Sequence, residues 1–179
     1  MKALTIWPEW CWAIVHLGKN VENRRWDPRR RGLQTGERFA IHAGKTIGGR
    51  PGIEVRRKAF DDLRFMAERA GYLLPMVGEF AKDGEGFVVP MEGGDLVCDG
   101  STVVRSAIVA VATLADVTRE SWSPWAAPGE VHWVLGPTDI LPEPVVCGGK
   151  QGLWTLPPEV QIRVDQQMNA LDNTAPEPF

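Results

Sequence analysis

Gly18-Lys19-Asn20-Val21-Glu22-Asn23-Arg24 is the point at which an apolar helix gives way to a polar strand. On its upstream side, Pro8 suits the first helical position and Glu9 the first turn. Trp10, Ile14 and Leu17 then share a face at helical spacing, and Cys11, Trp12 and Val15 are apolar too. The spacing predicts a helix from Pro8 to about Leu17, buried on most of its sides and ended by Gly18. Downstream, Asn20–Trp26 reads as a strand, whose period of two puts Glu22, Arg24 and Trp26 on one face and Val21 and Asn23 on the other. A Lys, a Glu and an Arg at such a junction can line a small polar cleft.

Working outward, Ala3–Ile6 and Glu37–Ala43 read as strands. A Gly-rich loop, Gly44–Gly52, leads into an amphipathic helix over Glu54–Ala70, where Val55, Ala59, Leu63 and Met66 recur at helical spacing. Tyr72–Ser101 shows no periodic core pattern and reads as a long irregular excursion. Val103–Val117 is a long apolar strand, Val131–Leu135 another, and Leu153–Leu156 a last one. Between these two, Pro142–Val146 leads into a Gly-rich turn. Glu159–Leu171 is a final helix, and 172–179 reads as a frayed tail. Short strands, two or three helices and many turns predict an α+β class: a small barrel of about five to six strands flanked by two to three helices.

The chain has 179 residues, most simply one domain over residues 1–171 with an insertion at about 72–102. A chain of this size needs no disulfide or metal staple. Its formal charge of -3 rules out a general polycation, so any nucleic-acid binding must be local. Between Lys19 and Arg31, however, six basic residues stand against two acidic ones. Three widely separated cysteines, Cys11, Cys98 and Cys147, point to free thiols in a reducing compartment. Neither a membrane-length apolar run nor a signal-peptide pattern is expected, and the reading is cytoplasmic. Eight Trp against one Tyr suggest large core fillers, with some rings left for stacking on a base.

Other chemistries find no support. Gly44-Lys45-Thr46 lacks the earlier Gly of a phosphate-binding loop, because Phe39 stands there. His16, His42 and His132 have no metal-ligand spacing to one another or to the cysteines, so neither a metal nor a cofactor is expected. A Gly-x-Ser-x-Gly elbow is missing too.

The Lys19-x-x-Glu22-x-Arg24 run after Gly18 resembles the signature of ASCH domains, members of the PUA-like superfamily. Flanking segments are similar to the family as well: Lys2–Ile6, the Pro-x-Trp at Pro8 and Trp10, Arg38–Lys45, Ala107–Leu114 and Gly152–Pro157. The resemblance covers most of the chain outside about 72–102 and the tail. It implies a PUA-like β-barrel with a cleft between the first helix and the barrel. It also implies a ligand that is RNA, a nucleotide or a modified nucleoside. Some family members are ribonucleases or amidohydrolases, and one occurs in a transcription coactivator. The amidohydrolase branch uses a Thr nucleophile three residues after the signature Lys, and Glu22 takes that place here.

From the residues themselves, Lys19 and Arg24 could hold a phosphate or a base carbonyl. Glu22 could accept from an exocyclic amino group, and Trp26 or Trp133 could stack on the base. His42 and Lys45, in the matching third segment, complete the candidate ligand-binding set. In an enzyme, Glu22 would be a general base and Lys19 would stabilise the developing charge. Alternatively, the three charges form an internal ion-pair network that satisfies a partly buried strand. A binding module, a hydrolase on RNA or a nucleoside derivative, and a protein-interaction module are the three functions left open. The sequence is silent on oligomeric state.

Overall fold

A computed structural model describes residues 1–74 and 86–174. Its main sheet is built from β1 (Lys2–Ile6), β2 (Val21–Arg24), β3 (Arg38–Ala43), β6 (Ala107–Thr118), β7 (Val131–Val146) and β8 (Leu153–Thr155). These run in the order β2-β7-β6-β3-β1-β8. Strands β1 and β3 are parallel and every other pair is antiparallel. Three α-helices accompany the sheet: α1 (Pro8–His16), α2 (Ile53–Arg69) and α3 (Pro158–Thr174). The architecture is the α+β one expected, a curled six-stranded sheet with three helices.

Central strands bury both of their faces, so their sequences are apolar at nearly every position. In β3, Phe39, Ile41 and Ala43 enter the core inside the curl, while Ala40 enters the core covered by α3. β1 divides in the same way, with Leu4 and Ile6 inside and Ala3 outside. Helix α1 also serves two cores. Cys11 and Ile14 close the curl, whereas Trp12, Ala13 and Leu17 meet Phe60 and Leu63 of α2. This double burial explains a helix without a polar side, as its sequence required.

Three stretches differ from the sequence reading. Val131–Leu135 and Pro142–Val146 are one continuous strand, β7, of 16 residues. Its upper half pairs with β2 only over Val131–Val134, so beyond that point one edge has no strand partner among the described residues. Pro137, Pro142 and Pro144 lie on this open stretch, where a missing N–H breaks no ladder bond. Three register shifts against β6 absorb the remaining irregularity. The excursion at about 72–102 is only partly irregular. Residues 75–85 lie outside the described residues, but β4 (Phe87–Val89) and β5 (Leu96–Cys98) form a hairpin whose Phe87, Val89 and Cys98 join the core of α1 and α2. Strands of three residues are too short to display a period. At the other end, α3 runs to Thr174 instead of stopping near Leu171, and residues 175–179 of the expected tail lie outside the described residues.

Candidate functional site

The turn that follows α1 brings Lys19 back under the helix, with its backbone N–H bonded to the Ala13 carbonyl at 3.1 Å. Strand β2 then presents Glu22 and Arg24 beside it. Lys19 Nζ donates to Glu22 Oε2 at 2.9 Å and to the Val21 carbonyl. Arg24 Nε lies 2.9 Å from Glu22 Oε1, and Arg24 Nη2 donates to the Thr5 carbonyl at 2.8 Å. The side chains of Lys19 and Glu22 are only 2% and 8% exposed, and that of Arg24 is 24% exposed. Burial alone would raise the pKa of Glu22. The charges of Lys19 and Arg24, with the hydrogen bond from Lys19, outweigh it and hold the carboxyl below its ordinary range. The floor is therefore a carboxylate clamped between two cations.

Above this floor opens a cavity of about 460 Å³, within the range of small-ligand sites. Trp7 and Trp10 line it from the start of α1, and Phe65 and Met66 from α2. Trp7 is 51% exposed and Phe65 64% exposed, an apolar rim open to solvent. The Trp10 ring centroid lies 5.9 Å from Lys19 Nζ, at the outer limit of a cation–π contact. Asn23 builds the far wall. It donates to the Trp125 carbonyl at 2.9 Å and accepts from the Ala127 N–H at 3.0 Å, which fixes the loop that places Ala127 and Glu130 at the cleft. Glu130 Oε2 is buried there without a hydrogen-bond partner among the described residues.

Lys19, Glu22 and Arg24 thus converge, but the other named candidates stand elsewhere. Trp133 is fully buried, with Nε1 donating to the Trp26 carbonyl at 3.2 Å, and its ring packs edge-on against Trp26 and Phe39. No base can reach it. Trp26 lines a neighbouring cavity, where Arg31 lies 4.5 Å over its ring. His42 is buried under the turn at Cys147–Gly152, with Nε2 3.2 Å from the Cys147 carbonyl and Nδ1 3.3 Å from Thr5 Oγ1. A carbonyl only accepts, so Nε2 carries the hydrogen, and burial keeps the ring's pKa below its usual value. Lys45 is exposed in the turn after β3 and does not line the cleft.

Sequence reasoning missed the aromatic wall. Helical spacing places Trp10 on the core face of its helix, and Phe65 falls between the charged positions of α2. An aromatic set off from the buried stripe Ala59–Leu63–Ala67 was the available signal for Phe65. Among the described residues no group of three His, Cys, Asp or Glu side chains could hold a metal ion. No helix among them is long and apolar enough to cross a membrane.

No family model matches the chain, and no curated protein matches it. Among solved structures, it is similar to an ASCH protein from Zymomonas mobilis, at 13% identity over 95% of this chain and 94% of that one, with a TM-score of 0.47. It is also similar to a mutant form of that protein, at 14% identity over 92% and 94% of the two chains, with a TM-score of 0.44. Both bear the name of the domain family that the sequence resembles.

Proposed function

We propose that the chain is an ASCH-type binding module whose cleft takes the base of RNA, of a nucleotide or of a modified nucleoside. The observation that carries this reading is the clamped Glu22 on the floor of an aromatic-walled cavity of about 460 Å³. Planar bases suit such a site, because every base has a π-face to stack and an edge of donors and acceptors to match. Phe65 and the two Trp rings supply the stacking surface. Arg24 and Lys19 favour a carbonyl or ring-nitrogen acceptor, and the unpartnered Glu130 Oε2 suits an amino group.

The same clamp weighs against catalysis by Glu22. A general base works best with a pKa near the operating pH, whereas two cations hold this carboxyl low and occupy both of its oxygens. Binding without turnover is the better fit.

The test titrates the four nucleoside monophosphates, a panel of modified nucleosides and short RNAs into the protein, following Trp fluorescence and analysing the recovered ligand by mass spectrometry. Saturable quenching with the ligand intact is expected. Product formation that E22Q abolishes would replace this reading with the hydrolase one, and no binding across the panel would overturn both.

A further inference from the structure

Beside the cleft lies a second cavity of about 430 Å³ with a different chemistry. Arg25, Arg29, Arg30, Arg31 and Arg119 line it, with Asp27 the only carboxylate among its described lining residues. Asp27 is already taken. It caps the short turn at Pro28–Arg31 by accepting from the Arg29 N–H, and it forms a bidentate pair with the Arg29 guanidinium. The Arg31 guanidinium carbon lies 4.5 Å from the Trp26 ring centroid, and the ion pair of Arg25 among the described residues is a 3.8 Å pairing with Glu130. Arg30 and Arg119 have no carboxylate partner among the described residues. In a chain of net charge -3, this concentrates positive charge that the fold does not consume.

Arg supplies planar forks that match phosphate oxygens. The position of the cavity matters as much as its charge. Arg24 lines the cleft and Arg25 the arginine cavity, and on the facing strand Glu130 lines the one and Val131 the other. The two cavities are therefore lined by sequence neighbours at the end of β2 and at the start of β7, and the 3.8 Å pairing of Arg25 with Glu130 links a residue of one to a residue of the other.

We infer that the arginine cavity is a phosphate site, which holds the backbone of a single-stranded polynucleotide while one of its bases occupies the cleft. The inference rests on the base-binding reading for the second of these contacts only. A polymer offers several phosphates to the arginines where a free mononucleotide offers one, so the cavity favours polymer.

The experiment compares wild type, the R30Q/R119Q double variant and the cleft variant F65A. The probes are a fluorescein-labelled single-stranded RNA decamer of mixed sequence, read by anisotropy, and the nucleoside monophosphates, read by Trp fluorescence. All three substituted residues are exposed, and thermal melts check that each variant folds. R30Q/R119Q is expected to weaken the decamer about tenfold or more at moderate salt. It should lower the slope of log affinity against log salt by about 1.4, the value for two phosphate contacts on a single strand, and leave mononucleotide affinity unchanged. An unchanged decamer affinity and slope would overturn the inference. So would an equal loss for mononucleotides, which would make the cavity a site for free phosphate groups. If wild type binds nucleotides but not the decamer, the inference fails and the cleft reading stands. If R30Q/R119Q weakens the decamer while F65A changes nothing, the cleft reading fails and the phosphate site stands.

Discussion

Replacing Glu22 by Gln isolates the clamp. In the native protein the Lys19 ammonium is all but removed from water, with a side-chain exposure of 2%, and among the described residues Glu22 is the only carboxylate bonded to it. Removing one partner of a buried pair costs about 3–5 kcal/mol, because the other charge is left uncompensated. Two features reduce the figure here. The Gln oxygen can still accept from Lys19, and Arg24, at 24% exposure, can recover hydration. The expected loss is therefore about 2–3 kcal/mol at neutral pH. For a chain of this size each kcal/mol shifts the melting temperature by about 2–4 °C, so a fall of roughly 4–12 °C should be seen. Dependence on pH gives the sharper readout. The carboxyl's pKa is depressed in the folded state, so its contribution is complete above the unfolded value near 4.5. It fades as pH falls through the folded value. Urea unfolding followed by Trp fluorescence at pH 7, 5, 4 and 3 would measure this. The wild-type advantage should be constant from pH 7 to 5 and then shrink. A loss below about 0.5 kcal/mol at pH 7, the range of ordinary surface changes, or a difference that ignores acid, would refute the clamp.

Three further outcomes follow from other sites. Glu9 is fully buried in the first turn of α1, accepts from the Gly48 N–H at 3.0 Å, and is pushed up to about 7 by burial. Its stabilising neutral form is lost as pH rises from the unfolded value toward 7, so E9Q should gain up to about 3 kcal/mol on wild type between pH 4.5 and pH 8; parallel unfolding curves at the two pH values would disprove it. A Cβ at Gly149 would run into the His42 ring and stand 3.0 Å from Thr5 Oγ1. G149A should cost about 1–3 kcal/mol, part of which H42A restores in thermal melts of the double variant. F65A removes a largely exposed stacking surface, so nucleotide affinity should fall at least about fivefold, in line with the 1–3 kcal/mol of a base–aromatic stack, while the melting temperature barely moves.

What could be read from sequence was what local chemistry dictates. Pro8 and Gly18 bracket α1, and the apolar stretches of β1, β3 and β6 mark strands buried on two faces. Lys19, Glu22 and Arg24 are close in sequence, and so their meeting could be foreseen. The aromatic wall could not, because Trp7, Trp10 and Phe65 reach the cleft from two helices whose mutual placement is a tertiary fact. Trp133 was misjudged for a related reason. Val131, His132, Val134 and Leu135 around it show no alternation of polar and apolar positions, and only the curl of the sheet decides that its ring points inward. The prolines of β7 read as breaks because sequence does not show which strand edge is unpaired. Trp26 was expected to extend the polar face of β2, but the strand ends at Arg24 and the ring turns toward Trp133 and Arg31.

The central claim, that a base enters the cleft between α1, α2 and β2, is tested most directly by a two-dimensional NMR titration of labelled protein with nucleoside monophosphates. A base bound there shifts the indole N–H groups of Trp7 and Trp10 and the backbone amides of residues 19–24, and leaves the indoles of Trp133 and Trp154 undisturbed. Shifts centred away from these residues, or none at saturating nucleotide, would contradict it.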